Sequence, residues 1–123
     1  MRYYLRSLIL VLALLLIAPA FVPPAFAHAI LEASEPKSGA TIAAGDVAFA
    51  LTYNSRIDAT RSALTLSLPD QSKSKLTVAA GATPNILTST AHLAPGKYLL
   101  HWQVLSLDGH ITRGQIAFTV QGG

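Results

Sequence analysis

Residues 97–110, read KYLLHWQVLSLDGH, constrain the fold of this chain more than any other stretch. Tyr98, Leu100, Trp102 and Val104 share one parity, and Leu99, His101, Gln103 and Leu105 share the other. Period two over this length predicts a long β-strand with one buried face. Trp102, in the most apolar strand of the chain, is the expected centre of the core. Beyond Leu105 the pattern gives way to polar residues: Ser106, Asp108, Gly109 and His110. Side chains two apart in extended backbone point the same way. A carboxylate and an imidazole therefore leave the strand end side by side, and Gly109 lets the backbone bend between them. By themselves these residues also fit an ordinary polar turn.

The rest of the chain repeats the strand signal in shorter pieces. Residues 28–34 form a first short strand, followed by the turn Glu35-Pro36-Lys37-Ser38-Gly39. Residues 46–53 alternate cleanly, with Val47, Phe49, Leu51 and Tyr53 on one face. Asn54-Ser55 breaks the run. Residues 62–68 alternate again through Leu64, Leu66 and Leu68, and 69–74 read as a polar turn. Residues 76–79 and 86–92 are two further strands, and Ala94-Pro95-Gly96 turns into the long one. Ile116, Phe118 and Val120 mark the last. About seven short strands, separated by turn signals and accompanied by no helix, predict an all-β fold. The expected architecture is an antiparallel Greek-key β-sandwich or barrel, immunoglobulin-like in plan.

The first 27 residues read as a targeting segment. Arg2 and Arg6 precede an unbroken apolar run over 8–17, and Ala25-Phe26-Ala27 is an A-x-A cleavage signal. The run is shorter than the ~20 residues a membrane span needs, and prolines 19, 23 and 24 end any helix there. Ala18-Pro19-Ala20 is a competing cleavage site. The expected division is a signal peptide at 1–27 and one domain at 28–123. Losing both arginines leaves seven Lys and Arg against six Asp and Glu, a net charge of +1. No basic patch with interleaved aromatics exists, so nucleic-acid binding has no support. An exported chain without cysteine has no disulfide and holds together by its core.

Cleavage after Ala27 would make His28 the N-terminal residue. Its α-amine, with a reference pKa near ~7.7–8.0, loses its proton easily. The amine and the imidazole Nδ1 then close one chelate ring on a metal ion. With a second imidazole and a carboxylate they make a tetragonal N,O donor set, which suits Cu(II). Asp108 and His110 are the candidates for that second half. His92 and His101 lack metal spacing and are expected to take surface or hydrogen-bonded roles. Tyr53, Tyr98 and Trp102 are expected to be core aromatics.

The order of motifs sharpens this reading. H-A at the predicted mature start is followed by E-P-x-S-G, then P-G-x-Y-x-x-x-W-x-V-x-S-x-D-G-H, then G-x-I-x-F-x-V. That series resembles the CopC family of periplasmic copper-binding proteins over essentially the whole mature chain. The resemblance implies a small Greek-key β-fold and a Cu(II) site formed by His28, Asp108 and His110, and it favours cleavage after Ala27. It implies a periplasmic, non-enzymatic protein that sequesters copper or delivers it to an inner-membrane copper transporter, acting as a monomer. Two departures stand out. The chain has no methionine after Met1, so the thioether site that holds Cu(I) in some members is missing. Asn54-Ser55 stands where some members place a glutamate near the copper. Two other readings are a histidine-brace copper monooxygenase and a metal-free structural sandwich.

Overall fold

The computed structural model describes residues 28–122. They form nine strands and no helix: β1 (Leu31–Glu35), β2 (Thr41–Ala43), β3 (Gly45–Tyr53), β4 (Ile57–Ser67), β5 (Lys73–Leu76), β6 (Ala79–Ala80), β7 (Ile86–Leu93), β8 (Gly96–Ser106) and β9 (Ile111–Gln121). The strands make two sheets, ordered β1-β3-β7-β6 and β2-β9-β8-β4-β5. All pairings are antiparallel except β2 on β9. The chain crosses between the sheets from β1 to β2, β2 to β3, β3 to β4, β5 to β6 and β7 to β8, which gives the expected sandwich. The proposed signal peptide at 1–27 lies outside the described residues.

The parity read in the sequence decides which side chains meet between the sheets. Val47, Phe49, Leu51 and Tyr53 of β3 and Leu87 of β7 are buried from one sheet. Leu64 and Leu66 of β4, Tyr98, Leu100 and Val104 of β8, and Ile116, Phe118 and Val120 of β9 are buried from the other. Their apolar area, removed from water, is the main stabilising term for a domain without disulfides. Phe118 links the layers: its ring meets Phe49 edge-on at 5.9 Å and stacks on Tyr98 at 5.5 Å. The buried Tyr98 hydroxyl donates to the Ala94 carbonyl at 2.7 Å, which meets the requirement that a buried polar group be paired.

The structure departs from the sequence reading in several details: β1 begins at Leu31 rather than His28, β4 at Ile57 rather than Ser62, and β9 at Ile111 rather than Gln115. The two extra strands, β2 and β6, are three and two residues long, too short to show a period. The turn after β4 closes earlier than expected. Leu68 N–H donates to Ser72 O at 2.8 Å, and Asp70 Oδ1 accepts from Ser72 N at 3.0 Å. Lys73 and Ser74 therefore join β5, and the expected strand at 76–79 is split between β5 and β6. Trp102 points inward but is only half-buried. The core centre is the fully buried group of Leu51, Tyr53, Leu64, Leu66, Leu87 and Leu100. The indole is edge-on to Tyr53 at 5.4 Å and lies against Gly114, where any Cβ would sit 2.4 Å from Trp102 Cζ2.

Candidate metal centre

Strands β8 and β9 run together from Gly96↔Val120 to Leu105↔Ile111, then close through the connection 107–110. Ser106 N–H donates to His110 O at 2.9 Å and Gly109 N–H donates to Ser106 O at 3.0 Å. Gly109 takes φ of 89°, a left-handed conformation that costs glycine nothing. This tight closure turns Asp108 and His110 to the same side. Asp108 Oδ2 lies 3.0 Å from His110 Nδ1, and Asp108 Oδ1 accepts from the His110 backbone N–H at 3.2 Å.

Ser106, buried beneath the turn, aims the carboxylate. Its hydroxyl donates to Asp108 Oδ1 and lies 3.0 Å from the His110 carbonyl. The Ser106 hydroxyl, followed by the His110 backbone N–H and imidazole, holds the Asp108 carboxyl down at about 2 against an ordinary 3.8. Hydrogen bonds to the charged form stabilise it. The carboxylate is thus ionised and oriented before any cation arrives.

His28 comes from the other end of the chain. Ala29 is buried, and its carbonyl accepts from Thr112 Oγ1 at 2.9 Å. Ile30 N–H donates to Asn54 Oδ1 at 2.8 Å, and Asn54 N–H donates back to the Ile30 carbonyl at 3.0 Å. These bonds tie the segment before β1 to β9 on one side and to the end of β3 on the other. They leave the His28 ring 4.7 Å from the His110 ring, edge to face. His28, Asp108 and His110 each offer one donor atom, and the three atoms lie within 4.8 Å of one another on an exposed face. Two imidazoles and one carboxylate converging at this spacing form a borderline N,O set for a divalent transition metal.

The structure thus brings all three sequence-predicted donors together. The other two histidines lie elsewhere and are hydrogen-bonded. His101 Nε2 meets Ser67 Oγ at 3.0 Å on the outer face of the five-stranded sheet. His92 Nδ1 meets Asp46 Oδ1 at 2.9 Å, near the opposite end of β3 from the site. Sequence reasoning missed the supports: Ser106 as the aspartate's anchor, and Asn54 and Thr112 as anchors of the N-terminal segment. Ser106 stood in the quoted motif, and Asn54 was visible as the break after β3. Nothing in the sequence pointed to Thr112. Beside Asn54, the Tyr53 hydroxyl and Ser55 Oγ are buried without a hydrogen-bond partner, and burial pushes the Tyr53 phenol up.

The CopC domain model matches residues 31–121, a span that includes Asp108 and His110. Copper resistance protein C of Xanthomonas campestris pv. juglandis is 33% identical over 106 residues, covering 79% of this chain and 83% of that protein. Protein YobA of Escherichia coli K12 is 29% identical over 103 residues, covering 80% and 83%. Among solved structures, CopC from Methylosinus trichosporium OB3b superposes with a TM-score of 0.69 at 26% identity, covering 77% of this chain and 95% of that one. PcoC, a methionine-rich copper resistance protein from Escherichia coli, gives 0.67 at 26% identity, covering 77% and 100%.

Proposed function

Since this chain belongs to the CopC family, we propose that it is an exported, periplasmic Cu(II)-binding protein that sequesters copper or hands it to an acceptor. The observation that supports this most directly is the convergence of His28 with Asp108 and His110, 80 and 82 residues further along the chain, to within 4.8 Å. The Cu(II) assignment rests on donor chemistry. The set is imidazole and carboxylate, and the mature chain has neither thiolate nor thioether with which to prefer Cu(I). On this point it differs from its methionine-rich structural relative.

Cleavage after Ala27 would add the His28 amine as a further nitrogen next to the imidazole, closing a chelate ring at one residue. The protein's part is to hold charge and donors in place, not to perform covalent chemistry. A carboxylate in the set favours the divalent ion and works against the redox cycling that a monooxygenase needs. The inner-membrane copper transporter suggested by the resemblance fits as the acceptor.

The test is Cu(II) titration of mature protein beside His28→Ala, Asp108→Ala and His110→Ala, with melting curves of the apo forms. One tight Cu(II) per chain, lost in each variant without loss of fold, is expected. Retention of wild-type binding in Asp108→Ala and His110→Ala would place the metal elsewhere.

A further inference from the structure

Charge in this domain is divided between its two sheets. The strands of the four-stranded sheet carry Glu32, Glu35 and Asp46 and no lysine or arginine. Those of the five-stranded sheet carry Arg61, Lys73, Lys75, Lys97 and Arg113 against Asp58 alone. In the connections, Lys37 and Arg56 balance Asp70 and Asp108. A net charge of +1 thus conceals −3 on one layer and +4 on the other. Four of the cations share the outer face of their sheet. Leu64 and Leu66 are buried, so Thr65 and Ser67 between and beyond them point outward. Lys75 pairs with Thr65 and Lys73 with Ser67, and directly opposed residues share a face. Lys97 alternates with buried Tyr98 and so has the outward parity of β8. Arg113 pairs with outward-facing Gln103 and donates Nε–H to its Oε1 at 2.8 Å. All four are exposed, and none takes part in an ion pair among the described residues. Arg61 is matched to Asp58 at 3.8 Å.

We propose that the outer face of the five-stranded sheet rests on an anionic lipid surface. Among its outward side chains there is no tyrosine, tryptophan or phenylalanine, since Tyr98, Trp102 and Phe118 all have the inward parity. A protein partner draws its affinity from aromatic or arginine anchors in a desolvated centre, where lysine is depleted. Three lysines and one arginine, spread over four adjacent strands and hence ~14 Å, suit a surface whose own charges move to meet them. Clusters of about four or more cations are what hold proteins to anionic lipid. The acidic layer does not oppose this. Stacked sheets lie ~10 Å apart, which exceeds the Debye length of ~8 Å at physiological ionic strength. Its repulsion is therefore screened, while its sign fixes which side turns to the lipid. The strands then lie along the surface, and the β8–β9 connection with Asp108 and His110 stands beside the contact rather than beneath it. The acidic layer of a second copy is the rival that charge allows, and such a contact would continue head to tail without closing. The inference does not depend on the copper reading.

The test is sedimentation of protein beginning at His28, which carries every strand, with vesicles of phosphatidylglycerol or of phosphatidylcholine. Melting curves show that each variant is folded. Binding to phosphatidylglycerol alone is expected, and it should vanish near ~1 M salt, where the Debye length is ~3 Å. Lys75→Gln should weaken it about fivefold, and Lys73→Gln with Lys75→Gln about 25-fold. Lys37→Gln removes the same charge from a residue that lines a surface hollow with Glu35 and Thr52 of the acidic sheet, and it should bind as wild type does. No binding to phosphatidylglycerol, equal binding to phosphatidylcholine, or an equal fall in Lys37→Gln would overturn the lipid face. So would assembly into larger species without vesicles that the lysine variants abolish, because the face would then belong to a second copy.

Discussion

In the proposed copper site, the Asp108 carboxylate is already held by the protein itself. Its oxygens accept from the Ser106 hydroxyl and the His110 amide, and its carboxyl is held at about 2. Supports of this kind typically change metal affinity 10–100-fold when removed. Ser106→Ala is therefore expected to weaken Cu(II) binding by at least about tenfold, with an altered Cu(II) EPR spectrum. Ser106→Thr, which keeps the hydroxyl, should restore both. The acid limb has a definite sign. A carboxyl depressed from 3.8 stabilises the fold above that value and loses its contribution only as pH falls toward about 2. Metal release comes earlier on the way down, because imidazole and amine donors must be deprotonated to ligate. Following the Cu(II) spectrum and the apo melting curve against pH should thus give two separate transitions, with copper lost at the higher pH. Coincident transitions would mean that release is unfolding.

The elements were legible where their length exceeded a few residues. The period-two run at 97–105 predicts β8 and its buried face, and β3, β4 and β9 follow the same rule. Pattern alone did not fix depth. Parity set Trp102 on the inner face, yet it is only half-buried, while its neighbours Leu64, Leu100 and Val104 are fully buried. Nor did pattern show β2, which exists only because β9 offers it an edge. At the site, Asp108 and His110 were legible because a strand's period and its ending are local properties. The bonds from Asn54 and Thr112 to residues 29 and 30 are products of the tertiary fold, and no local pattern encodes them. Gly114 tests the packing around Trp102. A Cβ there would stand 2.4 Å from the indole, so Gly114→Ala should destabilise by about 1–3 kcal/mol, as overpacking does. The tryptophan emission should shift with it, while Gly109→Ala, whose Cβ meets nothing within 4 Å, should leave emission unchanged. Thermal melting and fluorescence of the two variants make the comparison.

At the scale of the whole molecule, the metal is expected to act as a clasp between chain ends that the fold alone joins with a few hydrogen bonds. Ala29 and Ile30 are held by Thr112 and Asn54, but His28 is exposed at the head of the segment. A ligand that binds only the folded state stabilises it by RT ln(1 + [L]/Kd), or ~2.7 kcal/mol when free metal is 100 times Kd. For a domain of this size each kcal/mol raises the melting temperature by roughly 4–8 °C. Cu(II) at that excess should therefore raise the melting temperature of protein beginning at His28 by roughly 10–20 °C. Two alterations should reduce the rise by different routes. One extra residue before His28 converts the amine to an amide and removes a donor, leaving the apo melting temperature unchanged. Asn54→Ala keeps every donor but frees the segment that carries His28, so both the apo melting temperature and the copper-induced rise should fall. Calorimetry of the three proteins with and without Cu(II) separates a lost ligand from a loosened tether. An undiminished rise in the extended protein would show that the amine is not a ligand, and an undiminished rise in Asn54→Ala would show that the metal alone can order the N-terminal segment.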